Sequence, residues 1–194
     1  MRELVFLLEE ESAKTFLESL LPRILDNSVV TRLIAFEGKQ DLEKQLTRKI
    51  RGYTNPDARF IVMRDQDSNP DCKAIKAELL QKCDDAGKLK QSLVRIACKE
   101  LESFYLADLA AVESALSLTG LAKHQNKAIY RNPDNCQNPS KELAKLTKGN
   151  YQKVSHSREI GLKVDIFNVR SSSFTNLISG IKKSEVALLQ PACS

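Results

Sequence analysis

The segment best equipped for chemistry is Arg64-Asp65-Gln66-Asp67. It follows the apolar run Phe60-Ile61-Val62-Met63 and leads into Ser68-Asn69-Pro70, a turn. Two carboxylates one residue apart at the end of a buried strand repel each other, and each loses water as it nears the core. A positive charge between them offsets both costs. A hard divalent cation is the simplest choice, because magnesium takes a few carboxylate oxygens and fills its shell with water and substrate phosphate. The structural alternative is a polar turn whose Asp side chains cap the next helix.

An alternation of strands and helices positions these residues. Residues 4–8 form a continuous apolar run, suited to a strand covered on both faces. Ser12 reads as an N-cap. Ala13, Phe16, Leu17, Leu20, Leu21, Ile24 and Leu25 then recur at helical spacing, with Pro22 set to kink or shorten the helix. Residues 29–36 read as a second strand, ended by Gly38. Leu42, Leu46 and Ile50 mark one face of a second helix, and Lys44, Arg48, Lys49 and Arg51 the other. Residues 59–63 make a third strand. Ile75, Leu79, Leu80 and Cys83 line a third helix that stops at Gly87, and residues 93–98 make a fourth strand. This order predicts an α/β fold with about four mainly parallel strands, right-handed crossovers and flanking helices. Ligands of such sheets sit beyond the carboxyl ends of the strands. Glu9 after the first strand, Asp65 and Asp67 after the third, and Glu100 or Glu102 after the fourth therefore fall on one rim. Glu102 is favoured over Glu100 by its place at a helix start.

The remainder reads as mainly helical. Leu101, Phe104, Tyr105, Leu109, Val112 and Leu116 predict one helix. Residues 119–139 are rich in Asn, Pro and Lys and read as a loop with a short helix. Short helices follow over 140–146 and 151–161. A last helix carries Phe174, Leu177, Ile178 and Ile181 on one side, with Ser173 as its N-cap and Lys182-Lys183 toward its C-terminus. The division expected is a core over 1–118 and a helical, basic extension over 119–194 packed on it.

Composition narrows the class. Of 194 residues, 42% are hydrophobic and 28% charged, which describes a globular chain and not a disordered one. No apolar run approaches a membrane span, and the apolar start is too short for a signal peptide before Glu9-Glu10-Glu11. A cytoplasmic protein is expected. The five cysteines form no CxxC pair, and His124 and His156 have no partner at ligand spacing, so all seven read as packing or surface residues. The net charge of +5 is unevenly spread: residues 1–119 hold 18 basic against 20 acidic side chains, and residues 120–194 hold 12 against 5. An acidic rim beside a basic remainder suits an enzyme that grips a polyanion, although a moderately basic soluble surface has the same balance.

Three segments carry a family resemblance: Leu7-Leu8-Glu9-Glu10-Glu11-Ser12 with Phe16-Leu17, Arg64-Asp65-Gln66-Asp67, and Glu100-Leu101-Glu102-Ser103-Phe104-Tyr105-Leu106-Ala107-Asp108. Together they resemble an uncharacterised bacterial family with a TOPRIM-like Rossmannoid core, often encoded beside an AAA-type ATPase in phage-defence or restriction-like cassettes. Ser172-Ser173-Phe174 resembles its closing segment. TOPRIM domains of primases, topoisomerases and OLD-type nucleases share a Glu after the first strand and Asp-x-Asp after the third. Carried over, these roles fall on Glu9, Asp65 and Asp67. Glu100 or Glu102 is the further acid of the nuclease branch. The chain departs in having Glu10 where many relatives have Gly, and Ala13 where a second acid often stands.

The resemblance implies Mg2+ or Mn2+ as cofactor, held by Glu9, Asp65, Asp67 and Glu100, with Glu9, Asp65, Asp67 and Glu102 catalytic. It implies phosphodiester hydrolysis of nucleic acid and an ATPase partner, and it leaves a homo-oligomer open. Arg64 and Lys99 flank the site and, with Lys44 and Arg48, are candidates for phosphate contact; Arg64 and Lys99 serve equally as neutralising charges. Two rival readings stand: a phosphohydrolase with Asp65 as nucleophile and Asp67 as general acid, and a non-catalytic subunit whose acidic rim docks a partner.

Overall fold

The computed structural model describes residues 1–190. The first half runs β1 (Glu3–Leu8), α1 (Glu11–Leu20), a 3₁₀ turn at Leu21–Arg23, β2 (Val30–Ala35), α2 (Lys39–Arg51), β3 (Arg59–Asp65), α3 (Cys72–Asp85) and β4 (Ser92–Ala97). The strands form one parallel sheet in the order β2-β1-β3-β4. The continuous apolar runs belong to the two central strands, where side chains on both faces are covered. Alternation along each strand sorts them. Val5, Leu7, Phe60 and Val62 pack with Leu42, Leu46 and Ile50 of α2 and Ile75 and Leu79 of α3. Leu4, Phe6, Leu8, Ile61 and Met63 face the opposite layer.

That opposite layer is built from both halves of the chain. α4 (Glu102–Leu106), α5 (Leu109–Ala115), α6 (Ala128–Arg131), α7 (Pro139–Leu146), α8 (Lys153–Lys163) and α9 (Ser172–Leu189) follow β4. Phe16 of α1, Phe104 and Tyr105 of α4, Ile160 of α8 and Phe174 and Leu177 of α9 share one buried cluster with the sheet. Among the described residues no helix is long and apolar enough to cross a membrane. Cys72, Cys83, Cys98 and Cys136 are free thiols, and Cys193 lies outside the described residues.

Four local expectations are corrected. Ser12 lies inside α1; Glu10 holds the N-cap position, and the Ser12 hydroxyl donates to its Oε1 at 2.6 Å. The helix expected from Leu101 to Leu116 is two helices, because Asp108 leaves helical geometry and caps α5, its Oδ1 accepting from the Ala111 amide at 3.0 Å. Ser171, not Ser173, caps α9, accepting from the Phe174 amide at 3.1 Å. Ser173 is occupied by Asp134, which accepts from its hydroxyl at 3.1 Å. Lys182-Lys183 falls inside α9, which continues to Leu189. Pro22 acts as expected: α1 ends at Leu20 and the chain tightens into the 3₁₀ turn.

α8 crosses α1 so closely that a Cβ on Gly161 would lie 2.5 Å from the Phe16 carbonyl oxygen. Only a residue without a side chain fits there. Gly161→Ala should lower stability by about 1–3 kcal/mol through overpacking, read as a lower urea midpoint at unchanged slope. An unchanged midpoint would show that α8 is not held against α1.

Candidate active site on the carboxyl rim of the sheet

β1 and β3 are neighbours, so the residues leaving them meet. The Glu9 amide donates to the Met63 carbonyl at 3.3 Å, extending the ladder by one step. Glu9 Oε2 in turn accepts from the Asp65 amide at 3.0 Å. Strand alternation then separates Asp65 from Arg64. The Arg64 guanidinium turns to α2 and pairs with Glu43, its Nε lying 3.8 Å from Glu9 Oε2. Asp65, whose carboxyl lies on the other face, is buried. Burial pushes its pKa well up, and the charges of Glu9, Glu102 and Glu10 push it further.

Asp67 does not follow Asp65 onto that face. It sits in the left-handed region at φ 55°, and its amide donates at 2.6 Å to the carbonyl of Lys99, itself at φ 63°. Two non-glycine residues in this region, joined by one hydrogen bond, are sterically unfavourable backbone at the rim. The turn brings Asp67 to the start of α2, where Oδ2 accepts from Lys39 Nζ at 2.8 Å. That hydrogen bond and the Asp67 charge raise the Lys39 pKa. Burial raises the Glu9 pKa; the Asp65 amide and Arg64 oppose the rise, and the charges of Asp67 and Glu10 add to it.

The end of β4 supplies two acids with different surroundings. Glu100 Oε2 accepts from the Ser140 amide at 2.7 Å and so caps the first turn of α7. Glu102 opens α4 and is 1% exposed. Its Oε1 accepts from the Tyr151 hydroxyl at 3.2 Å, while Oε2 is buried with no hydrogen-bond partner among the described residues. Burial raises the Glu102 pKa, Lys153 opposing and Glu100 and Glu10 adding. Lys153, at the start of α8, lies 2.7 Å from Glu10 Oε1. Partial burial works to lower its pKa, but the hydrogen bond to Glu10 and the charges of Glu102, Glu10 and Asp65 outweigh this and raise it.

The rim thus gathers Glu9, Asp65, Asp67, Glu100 and Glu102 from three strand ends. Lys99 lines an open cavity of ≈ 510 Å³ beside Asp67 and Glu100, together with Lys39, Gln137 and Asn138. Arg64 is buried and engaged with Glu9 and Glu43. Lys44 and Arg48 lie along α2, which starts at Lys39. At 1.5 Å per residue they are about 7 and 13 Å farther along its axis, and Arg48 donates to Gln45. Lys39, Lys153 and Tyr151 escaped the sequence reading. Lys39 had a usable signal, since it follows Gly38 at the start of a helix that begins on the carboxyl rim of the sheet. Lys153 and Tyr151 had none, because only folding brings α8 to that rim.

Among the described residues no three His, Cys, Asp or Glu side chains are grouped so as to hold a metal ion as they stand. Lysines and the Asp65 amide occupy several of the acids. The donor set is nevertheless all carboxylate oxygen, the chemistry that hard divalent cations select. The raised pKa of Asp65 and the unpartnered oxygen of Glu102 are both costs that such a cation would relieve, so the residues fit it.

The model of a family described as a domain of unknown function, DUF4276, matches residues 8–182. The fold is similar to the solved C-terminal region of the Burkholderia pseudomallei OLD protein, with a TM-score of 0.51 and 15% identity, covering 96% of this chain and 98% of that one. No curated protein sequence matches this chain.

An aspartate with a raised pKa in the folded state binds its proton more tightly folded than unfolded. Stability therefore falls as pH climbs from the ordinary value of 3.8 through the raised one. Asp65→Asn should remove that fall. In metal-free buffer at neutral pH it should melt above the parent, each kcal/mol gained appearing as about 2–4 °C for a chain of this size. Parent and variant should converge toward acid pH. Identical melting curves from acid to neutral pH would refute the burial assigned to this carboxyl.

Proposed function

The chain belongs to the family described as a domain of unknown function, DUF4276, and from that premise we propose that it is a metal-dependent nuclease of the TOPRIM type. The observation that carries this reading is the excess of carboxylate over cation around Asp65. Glu9, Glu10 and Glu102 all bear on it electrostatically, and Lys153, whose own pKa the Asp65 charge raises, is bonded to Glu10. A magnesium or manganese ion bound there supplies a Lewis acid that polarises a phosphodiester and lowers the pKa of water. Glu9, Asp65 and Asp67 would hold it, with Glu100 and Glu102 as further acids. Glu102, buried with one oxygen unpartnered among the described residues, would take a proton from water. Lys39 and Lys99 line the cavity beside Asp67, where they can neutralise phosphate.

Nucleic acid as substrate follows from the TOPRIM resemblance and suits the excess of 12 basic over 5 acidic residues in 120–194. An AAA-type ATPase partner and a role in prokaryotic defence belong to the same reading. Asp65 as a phosphohydrolase nucleophile is disfavoured, because burial and repulsion hold the carboxyl toward its protonated, unreactive form.

Purified protein with Mn2+ or Mg2+, alone or with any AAA-type ATPase encoded beside it, should cut DNA or RNA. EDTA should stop the reaction. Asp65→Ala and Glu9→Ala should each lower the rate at least about a hundredfold, since loss even of groups behind a metal's ligands costs 10–100-fold. Mg2+ should raise the melting temperature of the parent and leave that of Asp65→Ala in place. Cutting that persists in both variants would remove these residues from the mechanism.

A further inference from the structure

The two ends of α7 meet surfaces of opposite character. At its N-terminal end, Gln137 and Asn138 line the cavity beside Asp67 and Glu100. Its C-terminal end lines a second open cavity of ≈ 470 Å³, shared with α6 and the segment before it. Lys123, Lys127, Lys145 and Lys148 stand around this second cavity. All four are exposed, and none lies within 4.0 Å of a carboxylate among the described residues. The one acid in the lining, Glu142, accepts from the Tyr130 hydroxyl at 2.6 Å. The rim lysines Lys39 and Lys153 neutralise carboxylates of their own chain. Among the described residues, these four form no such ion pair.

Four ammonium groups around a concavity focus a positive potential outward. We infer that this second cavity seats the phosphodiester backbone of the strand whose scissile phosphate lies at the acidic rim. The inference rests on the nuclease reading for what happens at the rim, but not for the binding itself. α7 sets the spacing between the two places. Its eight residues span about 12 Å, which is the rise of three to four nucleotides of one strand along a duplex axis at about 3.4 Å each. Glu100 caps α7 at the rim, and Glu142 of α7 holds Tyr130 beside the lysines. One short helix therefore ties the gripping surface to the acidic one. Of the phosphate-contact residues expected from sequence, Lys99 lines the rim cavity and not this one. Arg64 is buried against acids, and Lys44 and Arg48 extend along α2.

The test is fluorescence anisotropy with labelled DNA and RNA oligonucleotides, single- and double-stranded, in EDTA so that binding is read without cutting. The logarithm of the wild-type association constant should fall linearly with the logarithm of salt. Lys123→Glu, Lys127→Glu, Lys145→Glu and Lys148→Glu combined should weaken binding at least tenfold, with a salt slope smaller by about 3, as four lost phosphate contacts require. The four corresponding Gln substitutions, gentler on the fold, should lose the same slope. Asp65→Ala should bind at least as tightly as the parent. Equal affinity and slope in the parent and both quadruple variants would overturn the inference and leave the nuclease reading standing, as would a parent that cuts yet shows no lysine-dependent binding. A parent that binds through these lysines but cuts nothing with Mn2+ would support the inference and overturn the nuclease reading. Binding of none of the oligonucleotides would overturn it outright.

Discussion

The hydrogen bond from the Asp65 amide to Glu9 Oε2 is the constraint on which the rim depends. It spans 56 positions of sequence at 3.0 Å and sits where the β1–β3 ladder ends. Without it, Glu9 would be an exposed carboxylate at the start of a helix, of the kind that merely favours a helix dipole. With it, one oxygen of Glu9 is tied to backbone and the charge is held close enough to act on Asp65 and Asp67. Mutual repulsion among these groups is therefore imposed by the sheet itself, because β1 and β3 are its central neighbours.

The chain answers that repulsion with lysines from opposite layers. Lys39 comes from the layer of α2 and α3, and Lys153 from the layer of α1, α8 and α9. Each forms an ion pair that is partly open to water, and such pairs are weak and exchangeable. Among the described residues, buried Asp65 and Glu102 lack a comparably close cation. The rim thus combines acids that are neutralised on demand with acids that are not, and a hard cation would compete for the first kind and relieve the second. α8 is central to this arrangement: its Gly161 lets it lie against α1, and that contact carries Lys153 and the neighbouring Tyr151 to the rim.

Much of the architecture was legible because apolar periodicity is a local property. Leu42, Leu46 and Ile50 are fully buried at helical spacing, and residues 4–8 are buried without interruption. The failures share a physical origin. Asp108 fits the apolar rhythm on either side of it, yet its carboxylate also reaches the Asp165 amide at 2.8 Å, a partner 57 residues away that rewards breaking the helix. Ser171 and Ser173 are equal candidates as caps in sequence. The choice falls to Asp134, which engages both hydroxyls from a distant turn.

Sequence alone determined the strand order along the chain, the parallel α/β class and the set of acids delivered to one edge, because crossover handedness and the period of two leave few alternatives. Tertiary structure decided which of those acids share surroundings. The Asp-x-Asp pair reads as a unit, but a left-handed turn sends Asp67 to Lys39 of α2 while Asp65 stays buried toward Glu102 and Glu10. It also decided which cations face them, since Lys153 reaches Glu10 from 143 residues away. Desolvation and Coulomb energy depend on distance in space, and spacing along the chain carries no record of that distance.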